Sequence, residues 1–472
     1  MSLEQISEER IARQPPEAQA IIRVLLAHVA AQDRQIAALK ADMVRLSKTP
    51  QNSSLPPSSQ HPHAKPTTKK PKSKKKRGGQ PGHAKHERPL LPSGECDHVQ
   101  ILKPSECRRC GQTLTGRDPA PLRHQVWEVP KIKPLVSEYQ LHRLTCRCGA
   151  TTCAALPLGV PTGQAGPRLV ALVALLMGTF RQSKGRVALF LEHVLAQPCS
   201  KGWVVKLQQQ ATAALRPTYE ELCTQLPCEP TLPIDETPTK EASRRSWLWA
   251  FVARRFSVLG VRPTREATVL EELLSQRFTG VVNCDRAKMY WYLPRLQWCW
   301  AHLKRDFQAL IDTGDAQAKR LGHDLMRPTR ALFHHWARYR DGTLTWARLK
   351  RLASPIRREI DHLLLRGVFS GNRRLHGMCN PLYDHRGSLW TFLKVEGIEP
   401  TNNAAERALR HPVIWRKLSF GTQSAAGSRF VETLLSVVET CRQQGRNVFA
   451  VVTQAVASHF AGQATPPLLP GA

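Results

Sequence analysis

GVVNCDRAKMYWYLPRLQWCWAHLKRDF, residues 280–307, is the stretch on which the reading of this chain turns. A short apolar run, Gly280–Cys284, ends on an acid, Asp285, and a second, Leu296–Trp300, leads into a basic helix start at His302, Lys304 and Arg305. A strand that delivers a carboxylate at its end, followed by a strand feeding a cationic helix, suits metal-assisted phosphoryl transfer on nucleic acid. Alone, an Asp after a buried strand is more commonly a plain surface residue, so the neighbouring sequence has to decide. Upstream, Leu232–Ile234 precedes Asp235 in LPIDETPTK, Trp247–Ala253 and Phe256–Val261 continue as strands of a meander, and Thr268–Leu274 reads as a helix. Three adjacent strands followed by helix-linked strands predict a five-stranded mixed sheet of the α/β class. Both acids are then expected where a strand ends, the place where such sheets put their chemistry.

Downstream, the chain from His302 to about Glu396 is helical by pattern and rich in Arg, His and Leu, an insertion that Gly387–Pro400 closes. TNNAAERALR, residues 401–410, opens a new helix that Thr401 or Asn402 can cap, which puts Glu406 within its first two turns. Val413–Phe420, carrying Arg416 and Lys417, follows, and then helices over Ser428–Gln444 and Val448–Phe460. Three acids on separate elements, Asp235, Asp285 and Glu406, can supply the shared hard oxygen ligands that two Mg²⁺ ions roughly 3.5–4 Å apart require.

Composition narrows the partner. The 472 residues carry 69 Lys and Arg against 37 Asp and Glu, a formal charge of +32. That excess attracts polyanions, so DNA or RNA is the expected partner; a basic ribosomal or membrane-surface protein is the competing class. The longest apolar run, Leu169–Leu176 extended to Phe180, is too short to span a bilayer. Glu4, Glu8, Glu9 and Arg10 leave no apolar signal region at the N-terminus, so a cytoplasmic location is expected. Thirteen cysteines without an export signal argue for thiols and metal ligation rather than a disulfide framework.

The N-terminal half divides by texture. Ile22, Val29, Ile36 and Met43 recur every seven residues, with Leu25, Gln32, Leu39 and Leu46 three places on; seven of these eight positions are apolar, a coiled-coil seam. An ordinary amphipathic helix is the alternative. From Thr49 to Arg88 the chain is Pro, Ser, Lys and Gly, too polar to fold alone, and Lys74, Lys75, Lys76 and Arg77 form either an electrostatic hook for phosphate backbones or a solubilising run. Cys107-x2-Cys110-Gly and Cys146-x-Cys148-Gly follow, with strand-like sequence at Val126–Val129 and Leu135–Leu144 between them. Four such thiolates suit one structural Zn²⁺, with Cys153 or Cys96 as substitute ligands because the second pair is the shorter CxC. Pro167–Leu226 reads as three helices, and its turn-rich centre with Lys201 and Lys206 is similar to a helix-turn-helix reader of DNA, though a plain helical bundle has the same pattern.

LPIDETP, NCDRAKMYWYL, CWAHLKRDF, NNAAERALRHPVIWRK and FGTQSAAGSRFVETLLSVVETCRQQG resemble insertion-sequence transposases of the sixty-six family (TnpC type), as do the zipper, NSSLPPSS, KKRGGQPGH and CRRCG that precede them in the same order. The resemblance covers nearly the whole chain. It implies an RNase H-like catalytic domain with a helical insertion and an Asp-Asp-Glu triad, onto which Asp235, Asp285 and Glu406 map in turn. Cys299-x2-His302 is similar to a signature found after the second acid in related transposases, which would put His302 near the metals or the scissile phosphate; a helix-capping His is the alternative. Arg407, Arg410, Arg416 and Lys417 would bind phosphates near the triad. The implied activity is Mg²⁺-dependent cleavage at the ends of a bacterial element and joining of 3′-hydroxyls to target DNA. The implied setting is the nucleoid, with small accessory proteins of the same element as partners. The expected divisions are 1–48 zipper, 49–95 linker, 96–156 zinc ribbon, 157–228 helical DNA-binding domain, 229–420 catalytic domain with its insertion at about 303–398, and 421–472 C-terminal helices. A catalytically inactive DNA-binding regulator of the same descent is the alternative function.

Overall fold

Five strands form the sheet that carries the candidate site. They are β3 (Thr231–Glu241), β4 (Arg244–Val252), β5 (Ser257–Arg262), β6 (Val281–Cys284) and β7 (Leu296–Trp298), in the spatial order β5-β4-β3-β6-β7. The first three pair antiparallel; β3–β6 and β6–β7 are parallel. The computed structural model from which this is taken describes residues 11–46, 48, 52, 88–275 and 278–469. The basic run Lys74, Lys75, Lys76 and Arg77 lies outside them.

The sheet agrees with the mixed α/β expectation but corrects one detail. β3 does not stop before Asp235: it runs eleven residues, because TPTK continues in register with Arg245–Leu248 of β4. Its parallel pairing to β6 stops earlier, at Pro233 opposite Asn283. Asp235 thus lies inside a strand, just beyond the point where β3 and β6 part.

Both sheet edges are covered, which removes the unpaired backbone groups that would template aggregation. On β5 this is done by side chains of a helix, Ala425–Gln444. Its Glu432, Ser436 and Thr440 accept from the backbone N–H groups of Val261, Leu259 and Ser257 at 3.0, 2.8 and 3.1 Å. Four helical residues rise about 6 Å and two strand residues about 6.8 Å, so the two periods nearly match over this length. On β7 the returning end of the insertion does the same work: Gln297 accepts from Phe392 N–H at 2.8 Å, and Thr391 Oγ1 donates to Leu296 O at 2.6 Å.

The helices, in chain order, are α1 (Pro16–Leu46), α2 (Pro167–Met177), α3 (Lys184–Leu195), α4 (Lys201–Gln225) and α5 (Ala267–Leu274). The insertion contributes α6 (Trp300–Ile311), α7 (Ala316–Arg340), α8 (Trp346–Val368), α9 (Arg373–Asp384) and the short α10 (Thr391–Lys394). Then come α11 (Asn403–Ser419), α12 (Ala425–Gln444) and α13 (Val448–Phe460). α11 runs straight through Pro412, so Val413–Phe420 is the end of that helix and not a separate segment. It ends on Phe420 and Gly421, both at positive φ, where a Cβ on Gly421 would stand 2.5 Å from Lys240 O. That close turn lets Thr422 N–H donate to Lys240 O at 2.9 Å and ties the helix end to β3. One continuous buried core runs from Ala165 to Leu468 across the boundaries expected near 228 and 420.

Of the N-terminal parts, the expected helix is present and the segment between the cysteine knuckles departs from expectation. α1 is a single helix whose Leu25, Ile36, Leu39 and Met43 stay exposed in one chain. Between the two cysteine knuckles the strand-like run Val126–Val129 forms no strand, and of Leu135–Leu144 only the last two residues do, as the start of β1 (Arg143–Thr145), which pairs with β2 (Thr151–Cys153). Alternating apolar residues without a partner strand or a face to bury cannot hold a ladder, and Val126, Val129, Leu135 and Val136 are exposed. Among the described residues no helix is long and apolar enough to cross a membrane.

Candidate active site

Three elements bring acids together. Asp285 follows β6 by one residue, Asp235 lies in β3 and Glu406 in the first turns of α11. What holds α11 over the sheet is a buried set of hydrogen bonds. Asn283, next to the strand end, donates through Nδ2 to Glu399 O at 2.8 Å and Thr401 O at 3.1 Å. Asn402 Nδ2 donates to Ile234 O at 2.7 Å, one residue before Asp235, and its N–H donates to Cys299 Sγ at 3.2 Å. Asn402 stands at the N-cap but makes no capping hydrogen bond with its side chain. That side chain instead joins the Glu406 helix to the Asp235 strand.

The electrostatics follow from this convergence. Burial pushes the Asp235 carboxyl well up, and the charges of Glu236, Asp285 and Glu406 add to it. Burial also raises Glu406, against the opposing pull of Arg305 and Arg410. Glu406 Oε1 is buried and has no hydrogen-bond donor among the described residues; His302 Nε2 and Arg305 Nη2 stand 3.5 and 3.6 Å away. Asp285 turns Oδ1 to the Ala287 N–H at 2.7 Å and Oδ2 to Arg265 at 3.3 Å. Burial brings His302 down to about 4, helped by Arg305, so its imidazole is neutral near pH 7.

A fourth acid belongs to this cluster, one that the sequence gives little reason to single out. Glu236 is fully buried, accepts from Tyr290 Oη at 2.5 Å and from Arg265 Nε at 2.6 Å, and pairs again with Arg265 Nη2. Burial first, then Asp285, raises it to about 7, outweighing the pairing to Arg265. The only hint in the sequence is its place beside Asp235; nothing there points to Arg265 or Tyr290 as its partners.

The other expected site residues scatter. Arg305 reaches Glu406. Lys304 instead lies over the Phe333 ring at 4.9 Å, inside the insertion. Arg416 Nη1 donates to Thr237 Oγ1 at 2.8 Å on the Asp235 strand, and burial lowers its pKa. Arg407, Arg410 and Lys417 are exposed on α11. Each cysteine knuckle closes on a glycine at positive φ, Gly111 and Gly149, and Cys107–Cys110 and Cys146–Cys148 each pair their thiols, which lowers Cys107 and Cys146. Backbone N–H groups are the larger cause in both. The two knuckles are not brought into one site: among the described residues no group of three or more His, Cys, Asp or Glu side chains is placed to hold a metal ion.

The same holds for the acids, whose carboxylates stand near one another without forming a common ligation sphere. Their chemistry nonetheless fits Mg²⁺: they are hard oxygens whose charges together hold the Asp235 carboxyl up, and one of them, Glu406 Oε1, lacks a hydrogen-bond donor among the described residues.

Comparison with known proteins adds the descent. Residues 162–429 match the model described as the transposase IS66 family, more than half of the chain. The chain belongs to the IS66 transposase family. This match spans all three acids, the insertion and α11, while residues 6–89 match a family of unknown function (DUF6444). An uncharacterised protein, y4qI, of Sinorhizobium fredii is similar to this IS66 family member, with 26% identity over 239 residues. That alignment covers 46% of this chain and 44% of the relative, so the chain spans less than half the length of this curated relative.

Proposed function

We propose that the chain is a DNA transposase that cleaves the ends of its element and joins the freed 3′-hydroxyls to target DNA, with Asp235, Asp285 and Glu406 as the metal-holding triad. The observation that carries this is the convergence of those acids near the β3–β6 divergence, close enough that Asp285 and Glu406 add to the rise that burial gives the Asp235 carboxyl. A protein that only binds DNA has no use for clustered carboxylates, which repel the phosphate backbone unless cations lie between. The strand order, with three antiparallel strands followed by two parallel ones, supports an RNase H-like catalytic domain. When bound, a Mg²⁺ pair would supply activation of the attacking water or 3′-hydroxyl and stabilisation of the leaving oxygen, with no covalent enzyme intermediate.

The remaining residues orient and bind. Asn402 and Asn283 tie the start of α11 to the sheet, which keeps Glu406, now turned to His302 and Arg305, on the element next to the two aspartates. His302, neutral and next to Glu406, is suited to hold or pass a proton near the reacting phosphate. Arg305 and Arg410 act on Glu406 and are assigned as phosphate partners, with Arg416 beside Thr237 on the Asp235 strand, Arg407 and Lys417 exposed on α11 and Lys74–Arg77 as a non-specific hook. We further assign self-association to the α1 seam, a structural Zn²⁺ to Cys107, Cys110, Cys146 and Cys148 once the knuckles close, DNA reading to α2–α4, and a cytoplasmic setting with small accessory proteins as partners.

The test is Mg²⁺-dependent nicking and strand transfer on labelled element ends, with Asp285→Ala as control. Wild-type activity that the variant lacks supports the enzyme; equal behaviour of the two leaves a DNA-binding regulator in its place.

A further inference from the structure

Each carboxylate oxygen of Asp285 is already engaged. Oδ1 accepts from the Ala287 backbone, an interaction built into the turn after β6. Oδ2, the oxygen left for a ligand, faces Arg265 Nη2 at 3.3 Å. The same guanidinium is anchored on Glu236 through Nε at 2.6 Å and through Nη2. It also lies over the Trp247 ring at 5.2 Å, and Tyr290 holds the far oxygen of Glu236. Arg265 therefore has one firm seat, on Glu236 and Trp247, and one long contact, on Asp285.

We propose that Arg265 is a resident counter-ion of the acid cluster that competes with the divalent cation for Asp285, so that cation binding and the Arg265–Asp285 contact exclude one another. This rests on the metal-holding reading of the triad. The single charge of Arg265 relieves the repulsion among acids while the site is empty of cations, and its planar fork can span two carboxylates at once. A cation at Asp285 breaks only the long contact, because the seat on Glu236 is independent of it. Arg265 thus sets how much cation the site requires before it is ready for DNA.

The sign of one substitution separates this from a merely structural role. Mn²⁺ is titrated calorimetrically into the full zinc-replete chain at low ionic strength, in wild type, Arg265→Gln, Arg265→Lys and Asp285→Asn. If Arg265 competes, Arg265→Gln binds Mn²⁺ at least about tenfold more tightly, since a positive charge within a few ångströms of the ion is removed. Arg265→Lys keeps a charge for Glu236 but lacks the fork, and gives an intermediate gain that does not depend on the glutamine variant folding. Unchanged or weaker binding in both variants overturns the proposal. Wild type that binds no Mn²⁺, or binds it as well as Asp285→Asn does, overturns the metal reading itself and this inference with it.

Discussion

Glu236 offers a prediction whose size can be worked from the site. Its ordinary value is 4.5 and its buried value is about 7, a rise of about 2.5 units. At about 1.36 kcal/mol per unit, the ionised form is disfavoured in the folded protein by about 3 kcal/mol. For a group raised on folding, the stabilisation is whole below the unfolded value and is lost as pH climbs through the folded one. The window is therefore pH 4.5 to 7. His302 opposes it: lowered from 6.5 to about 4, it costs stability as pH falls through that range, so its contribution rises with pH. In wild type the two slopes largely cancel between pH 4.5 and 6.5. Glu236→Gln removes one of them. Compared with wild type, this variant should gain about 3 kcal/mol between pH 4.5 and pH 7.5. Its own stability should fall with pH less steeply than that of wild type across this window. Thermal and urea unfolding followed by tryptophan fluorescence in chelator, at half-unit pH steps, measures the difference. Parallel curves for the two proteins across the window would refute the buried, repelled state of Glu236.

Three further outcomes follow from the packing. Asn402→Ala removes the bond to Ile234 O and should cost about 1–3 kcal/mol in unfolding, with strand transfer reduced although all three acids remain. Glu432→Ala strips a fully buried carboxylate from Arg216, Arg262 and the Val261 N–H, and should cost about 3–5 kcal/mol by the same unfolding assay. Arg416→Gln, which has no carboxylate partner among the described residues, should lower the slope of log binding constant against log salt for duplex DNA by about one, measured by fluorescence anisotropy.

How much of this is legible in the sequence varies with the distance over which each feature is decided. The run VVNC ending on Asp285 is a four-residue strand buried throughout, and its local pattern suffices. Asp235 reads as a strand end because the apolar run Leu232–Ile234 stops before it; the pairing with β4 that extends β3 is a tertiary fact. The strand-like run Val126–Val129, and Leu135–Leu144 up to its last two residues, fail for the converse reason, since alternation without a partner makes no sheet. Asn402 is legible as a helix start but not as a tie to Ile234, 168 residues away. Glu236, Arg265 and Tyr290 meet across 54 residues through a sheet and a 3-10 turn, and no spacing rule encodes that meeting.

The central claim is that Asp235, Asp285 and Glu406 close on a pair of cations at a phosphodiester. Anomalous diffraction from a Mn²⁺-soaked complex with an element-end duplex tests it most directly. Two peaks roughly 3.5–4 Å apart, bounded by these three carboxylates and a backbone phosphate, are the predicted result. A complex with DNA seated and Mn²⁺ present, but with no peak between Asp235 and Asp285 and Glu406 still turned to His302 and Arg305, would contradict it.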